Sequence, residues 1–343
     1  MNEPGRRGRS TATSFVLLVV AIASSACGTG QAPTTLATQQ ETAARSLAPT
    51  TATEPSVATS PSALPLPGGR LVFQQLIGDS RGLLTSNTDG TGIKPLLPFG
   101  IGEGPRWSPD GLHISVVDHD QQGRLFVGLV NPDGSNYVKF ESPDPRLDLG
   151  CAAWSPDGSR LACEGWDDTD PTRNGIYTVR SSDGGALTRV TASPNGGHDI
   201  PANYSPDGRQ IVFTRVRLPD EADTTMMVVN VDGSDARAIS DQRLGGGSWS
   251  RDGRTILADA DSSFLLVPID GGAPTVIKIV PAGGLRTAFS GSWSPDGEWI
   301  VFSGRASKSV DLYIVRADGS DLHQVTDTPI GLWEEGADWA APR

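Results

Sequence analysis

The chain has 343 residues, and its 41 Gly and 26 Pro put that pair well above ordinary usage. So many breakers exclude a helical bundle, and three Cys exclude a disulfide-dense scaffold or a Cys₄ zinc site. A formal charge of −12 argues against sequence-independent nucleic-acid binding, which needs a cationic footprint.

The first 26 residues read as an export signal rather than part of a fold. Arg6, Arg7 and Arg9 form a positive start, and an apolar run follows from Phe15 to Ala23. Nine residues are too few to cross a bilayer as a helix but suit a signal-peptide core. Ser24-Ser25-Ala26 then leads into Cys27-Gly28, which resembles a bacterial lipoprotein signal. The resemblance implies that Cys27 is lipidated, anchors the chain in the membrane and becomes its mature N-terminus. The alternative is an ordinary secretory signal with an incidental cysteine. From Gly28 to Pro67 the chain is Thr, Ala, Ser, Pro and Gln without apolar periodicity, so it reads as a disordered tether. Stretched, it would reach roughly 130–140 Å. The domains expected are thus a signal (1–26), a lipidated tether (27–67) and a folded part (68–343). Residues 1–67 hold four Arg against three Glu, so the folded part carries all the acidity.

That part repeats. Trp107-Ser-Pro-Asp-Gly111 recurs at Trp154 and Trp293, with near copies at Tyr204 and Trp249 and a truncated one at Trp339. The aromatic positions are 47, 50, 45, 44 and 46 residues apart. A second marker, Asp-Gly, falls between them at 89, 133, 183, 232, 270 and 318. Both markers count six units. Each unit holds four short runs rich in β-branched and aromatic residues, bounded by turn residues. Four antiparallel strands every ~45 residues match the propeller repeat. Residues 69–343 resemble the TolB-type, WD-repeat-like β-propeller family, whose signature is Trp-Ser-Pro-Asp-Gly followed by an Ile-Ala-Phe-like strand. The family prototype also has an N-terminal α/β domain, where this chain has only the tether. The expected fold is all-β: six four-stranded antiparallel blades. Gly69–Phe73 looks like the strand after a Trp motif and Gly336–Trp339 like the strand before one. The C-terminal strand should therefore close the first blade.

A hairpin turning through Ser155–Ser159 sets Cys151 opposite Cys163, within disulfide reach in an oxidising compartment. The alternative is two small buried thiols. Metal and cofactor signals are absent: His113, His119, His198 and His323 fall in different blades, without ligand spacing. Asp167, Asp168 and Asp170 with Asn174-Gly175 lack the order of a calcium loop and read as a solvated acidic loop. No Gly-x-Ser-x-Gly elbow and no paired carboxylates stand out, so no catalytic residue is assigned.

Strand alternation puts the Trp-motif and Asp-Gly turns on one side and the longer loops on the other. The long loops carry Asp118, His119, Asp120, Asp167, Asp168, Asp170, Asp220, Glu221, Asp223, Asp259, Asp261, Glu334 and Glu335, with Arg124, Arg146, Arg173, Arg217, Arg243 and Arg286. Variable loops on a rigid scaffold are where binding usually resides, and these acids form the candidate binding face. The functional expectation is a monomeric, non-enzymatic propeller outside the cell membrane that recruits an envelope protein or glycan. The alternatives are an envelope glycan lyase or hydrolase working at the channel mouth, and a plain spacer.

Overall fold

The computed structural model describes residues 66–342, apart from 79, 122, 221–222, 261–262, 280–283 and 307. Cys27, the signal, nearly all of the tether, Glu221 and Asp261 lie outside the described residues.

Every Ser-Pro-Asp-Gly copy folds into the same turn. In the first, Ser108 Oγ donates to Asp110 Oδ1 (2.6 Å) and accepts from His113 N (2.9 Å), while Leu112 N donates to Asp110 Oδ1 (2.9 Å). The copies at Ser155, Ser205, Ser250 and Ser294 repeat the Ser–Asp bond. The motif's Gly stands at φ between 63° and 78°, which a residue with a Cβ adopts only under strain. The Asp-Gly turns use the same chemistry: Asp133 Oδ1 accepts from Ser135 N (2.9 Å) and Oγ (2.6 Å).

The strands pair into six four-stranded antiparallel sheets. Blade 1 orders β24 (Leu332–Ala340), β1 (Arg70–Ile77), β2 (Ser80–Asn87) and β3 (Lys94–Pro95). Blade 2 is β4 (Glu103–Trp107), β5 (Ile114–His119), β6 (Leu125–Val130) and β7 (Val138–Phe140). Blade 3 is β8 (Asp148–Trp154), β9 (Arg160–Trp166), β10 (Gly175–Arg180) and β11 (Thr188–Arg189). Blade 4 is β12 (His198–Tyr204), β13 (Gln210–Val216), β14 (Thr224–Asn230) and β15 (Arg237–Ala238). Blade 5 is β16 (Gly245–Trp249), β17 (Thr255–Ala260), β18 (Ser263–Pro268) and β19 (Thr275–Ile277). Blade 6 is β20 (Thr287–Trp293), β21 (Trp299–Arg305), β22 (Asp311–Arg316) and β23 (His323–Gln324). Closure is as expected: β24 pairs antiparallel with β1, Trp339 opposite Leu71, so both ends of the propeller share one sheet.

Each blade is covered on both faces by its neighbours, which is why runs such as Ile211-Val-Phe213 are apolar without alternation. Six apolar clusters result, each spanning a pair of adjacent blades. Leu71 and Phe73 of blade 1, for example, pack with Trp299, Val301 and Leu312 of blade 6. Blade packing also constrains the Asp-Gly turns. A Cβ on Gly134 would lie 2.5 Å from the carbonyl oxygen of Leu96 in the preceding blade, and one on Gly233 would lie 2.7 Å from that of Val190.

The innermost strand of every blade carries a bulge shortly before its aromatic residue, seen as a register shift against its neighbour. In blade 3 the bulge decides the cysteine pairing. Run back from Trp154 opposite Leu161, a regular ladder would set Cys151 against Glu164. The extra residue at Ala152 brings it opposite Cys163 instead. Both cysteines are buried and their sulfurs are bonded.

Candidate binding channel and its long-loop mouth

The six inner strands surround a central cavity of about 160 Å³. Its lining follows from the bulge and from one register position. The residue just before each aromatic, which the repeat leaves free to vary, is Arg106, Ala153, Asn203, Ser248, Ser292 or Asp338. Five of these six positions differ in charge or hydrogen-bonding capacity from an apolar wall residue, and Arg106, Asn203, Ser248, Ser292 and Asp338 line the cavity.

Asp338 ties three blades together. Its Oδ2 accepts from Trp107 N of blade 2 (2.7 Å) and its Oδ1 from Ser292 Oγ of blade 6 (3.4 Å). Burial holds its carboxyl above the usual range, against the pull of Arg106 and those donors. Asp259 of blade 5 accepts from the bulge amides of Ser290 (2.8 Å) and Gly291 (3.2 Å). Burial outweighs these bonds and lifts Asp259 to about 6. Gln74 has the same role between blades 1 and 2, its Oε1 accepting from the bulge amide of Gly104 (3.3 Å). Glu335 lines the cavity, is raised by burial and is drawn down only by the charge of Arg81. Arg81 itself forms an ion pair with the buried Glu103.

The expected acidic face is largely not a solvated one. Asp118 is buried, accepting from Tyr137 Oη (2.6 Å) and Lys139 Nζ (2.5 Å). Burial pushes its carboxyl up, but Lys139, Tyr137 and the His119 amide outweigh it and leave it below the usual range. Asp167, 2% exposed, is no part of a free loop either. It accepts from Thr169 Oγ1 (2.6 Å), Thr169 N (2.9 Å) and Arg173 Nη1 (2.8 Å), which lower it to about 2, the Thr169 hydroxyl most of all. Arg173 also pairs with Asp144. Glu334 is buried beside Gln75, whose Nε2 donates to its Oε1 (2.9 Å), and burial raises it. Glu334 and Glu335 belong to β24, the innermost strand, rather than to a loop. Asp120 accepts from Arg124 N (2.9 Å), Asp170 from Thr172 N (3.2 Å), and Asp223 faces Arg217 (3.5 Å). His119, Asp168 and Asp220 remain exposed.

Two further pairs lie at the long-loop ends of strands in blades 3 and 4. His198 Nδ1 lies 2.6 Å from Glu164 Oε1, and burial raises Glu164 against that contact. Asp199 is held by Arg215 through two bonds of 2.7 and 2.8 Å. Among the described residues no three His, Cys, Asp or Glu side chains gather as a metal site.

Sequence reading missed Asp338, Arg106 and Gln74, and placed Asp259 in a loop although it lies within strand β17. The signal was present. Superposing the six motif copies shows that the position before the aromatic varies in charge and polarity, while an aromatic follows it and Gly, Ala or Pro precedes it.

The TolB beta propeller domain family matches residues 103–328. The chain belongs to the TolB β-propeller family. The uncharacterized protein Atu1656 of Agrobacterium fabrum is 24% identical over 241 residues, covering 67% of this chain and 60% of that protein. The uncharacterized peptidase YuxL of Bacillus subtilis is 27% identical over 227 residues, covering 62% of this chain and 31% of the peptidase. The chain thus spans less than two thirds of the length of these curated relatives. Among solved structures, TolB from Acinetobacter baumannii superposes with a TM-score of 0.62 at 19% identity, covering 80% of this chain and 67% of that one. The same fold carries enzymes as well: an oligogalacturonate lyase from Vibrio parahaemolyticus superposes with a TM-score of 0.50 at 15% identity over 71% of this chain and 70% of the lyase.

Proposed function

We propose that this protein is an exported binding propeller, held at the outer side of the cell membrane by lipidated Cys27 and its tether. It recruits an envelope protein or glycan through the channel and its long-loop mouth. One observation carries this reading: the blade-to-blade differences converge there. The short-turn side repeats the same Ser-Asp and Asp-Gly chemistry around the ring. The opposite end collects Glu164–His198, Asp199–Arg215, Arg81–Glu103 and Glu335, none of which repeats. An asymmetric partner can be recognised only by such non-repeating groups.

Photocrosslinking residues placed in the full chain at His119, Asp168 or Ile330 of the long-loop end should trap a partner in intact cells. The same residue at Leu112 or Val138 of the short-turn end should not. Adducts confined to Leu112 and Val138 overturn the assignment of the face. The alternative, an envelope enzyme acting on glycans, draws on the Glu164–His198 pair, which can hold and pass a proton. Steady turnover of an envelope glycan that is lost in His198→Ala would establish it.

A further inference from the structure

The walls of the channel are not alike. Blade 1 contributes Glu335 and Asp338, whereas blade 4 contributes Ile200, Pro201 and Ala202 beside the uncharged Asn203 and Thr214. Blades 1 and 4 stand opposite one another in a ring of six. A charged wall therefore faces an uncharged one with an apolar stretch across a narrow space.

The charged wall is not saturated by the protein. Glu335 is 5% exposed, and its Oε1 has no hydrogen-bond partner among the protein atoms. Gln74, its cross-strand partner, is 2% exposed and leaves Nε2 unpartnered. No cation bonds that oxygen: Arg81 acts on Glu335 through its charge but pairs with Glu103, and Arg106, which also lines the cavity, donates its Nη1 to the carbonyls of Pro105 (2.8 Å) and Gly336 (3.4 Å) and acts through its charge on Asp338. A buried carboxylate oxygen without a donor is costly to keep in a fold unless something else meets it.

Building on the binding reading above, we propose that the channel accepts a primary ammonium on an unbranched aliphatic stem, of the lysine side-chain kind. The ammonium sits at Glu335, and the methylenes lie along Ile200, Pro201 and Ala202. A slender chain suits a cavity of about 160 Å³, well below the size of ordinary small-molecule pockets. A methylene stem carrying a terminal charge matches one apolar wall and one anionic wall. A planar guanidinium fits less well, because it seeks two parallel acceptors and more room. A metal ion fits less well again, since no three ligating side chains gather among the described residues. Two sources present such an ammonium, a lysine of a partner protein and a free diamine.

The test uses the full chain and four probes followed by ligand-observed NMR: Nα-acetyl-lysine methylamide, 1,5-diaminopentane, pentanol and tetramethylammonium. At least one of the two amines should bind about tenfold or more tightly than pentanol or tetramethylammonium. Binding of the lysine amide alone assigns a protein lysine, and binding of the diamine alone assigns a free amine. Glu335→Gln should weaken the amine about tenfold or more, and Glu298→Gln, at an exposed carboxylate of the short-turn side, should leave it unchanged. Ala202→Leu fills the apolar side without altering a charge and should also abolish binding, so the result does not depend on one variant's folding. Absence of amine binding overturns the proposal, as do equal affinities for amine and pentanol, or amine binding indifferent to both Glu335→Gln and Ala202→Leu. The outcome is separable from that of the crosslinking. Long-loop adducts without amine binding remove only the ammonium site, and amine binding with short-turn adducts removes only the docking face.

Discussion

At the scale of single residues, burial rather than loop membership decides what an acidic side chain does. Asp167 and Asp168 are adjacent in sequence and opposite in consequence. Asp167 is buried and holds Thr169 and Arg173, so Asp167→Ala leaves the Thr169 donors without their acceptor and takes from Arg173 one of its two carboxylates. It should destabilise the domain by about 1–3 kcal/mol in denaturant titration. Asp168 is exposed, and Asp168→Lys should stay within about 0.5 kcal/mol of the parent. Equal effects of the two would show that the Asp167 network contributes nothing. The cysteines give a second residue-scale prediction. The Cys151–Cys163 peptide pair from exported protein should weigh two hydrogens less before reduction than after it, and Cys163→Ser should cost up to about 3 kcal/mol. Full alkylation of both thiols without prior reduction would contradict the bond.

At the scale of elements, β24 is the piece on which the ring depends. It pairs along the whole of β1, and its Asp338 reaches blades 2 and 6. Removing residues 332–343 should therefore lower the melting temperature of every blade in one transition, followed by circular dichroism. A truncated chain that melts like the parent would refute closure by this strand. Much of this level was legible in the sequence, because turns and strands repeat. Ser108 and its counterparts announce a turn by composition alone, and two markers gave the same count of blades. The channel was legible only in part, since what matters there is the residue that breaks the repeat. Glu334 and Glu335 read as loop acids because nothing local says that β24 is innermost; that follows only once the ring has closed. Asp118 read as exposed for the same reason, since Tyr137 and Lys139 come back to it from the end of the same blade.

At the scale of the whole molecule, two populations of carboxylates oppose each other in their response to pH. The turn acids, among them Asp89, Asp133, Asp207 and Asp232, are held below the usual range, chiefly by bonds from the Ser or Thr beside them. A group lowered in the folded state contributes stability above its ordinary pKa, and that contribution is lost as pH falls through the folded value. The buried acids Glu164, Glu334, Glu335, Asp259 and Asp338 are raised by burial. For these the folded chain holds the proton longer than the unfolded one. Their carboxyls favour folding fully only below the ordinary range, and that advantage is lost as pH rises through the folded value. Stability should consequently be greatest on the mildly acidic side and fall in both directions. Asp259 isolates the upper limb. Its donors, the amides of Ser290 and Gly291, are neutral, and its window runs from the ordinary 3.8 to about 6. Its share of the loss is up to about 3 kcal/mol, reduced by the partial solvent contact it retains at the channel. Asp259→Asn should flatten the decline in unfolding free energy between pH 4 and 6, measured by denaturant titration at several pH values. The slope is the readout, because an amide also meets the two bulge donors less well and shifts the whole curve. A variant whose slope in that window matches the parent's would show that Asp259 is ionised in the folded channel at the ordinary pH, and that burial does not govern its proton.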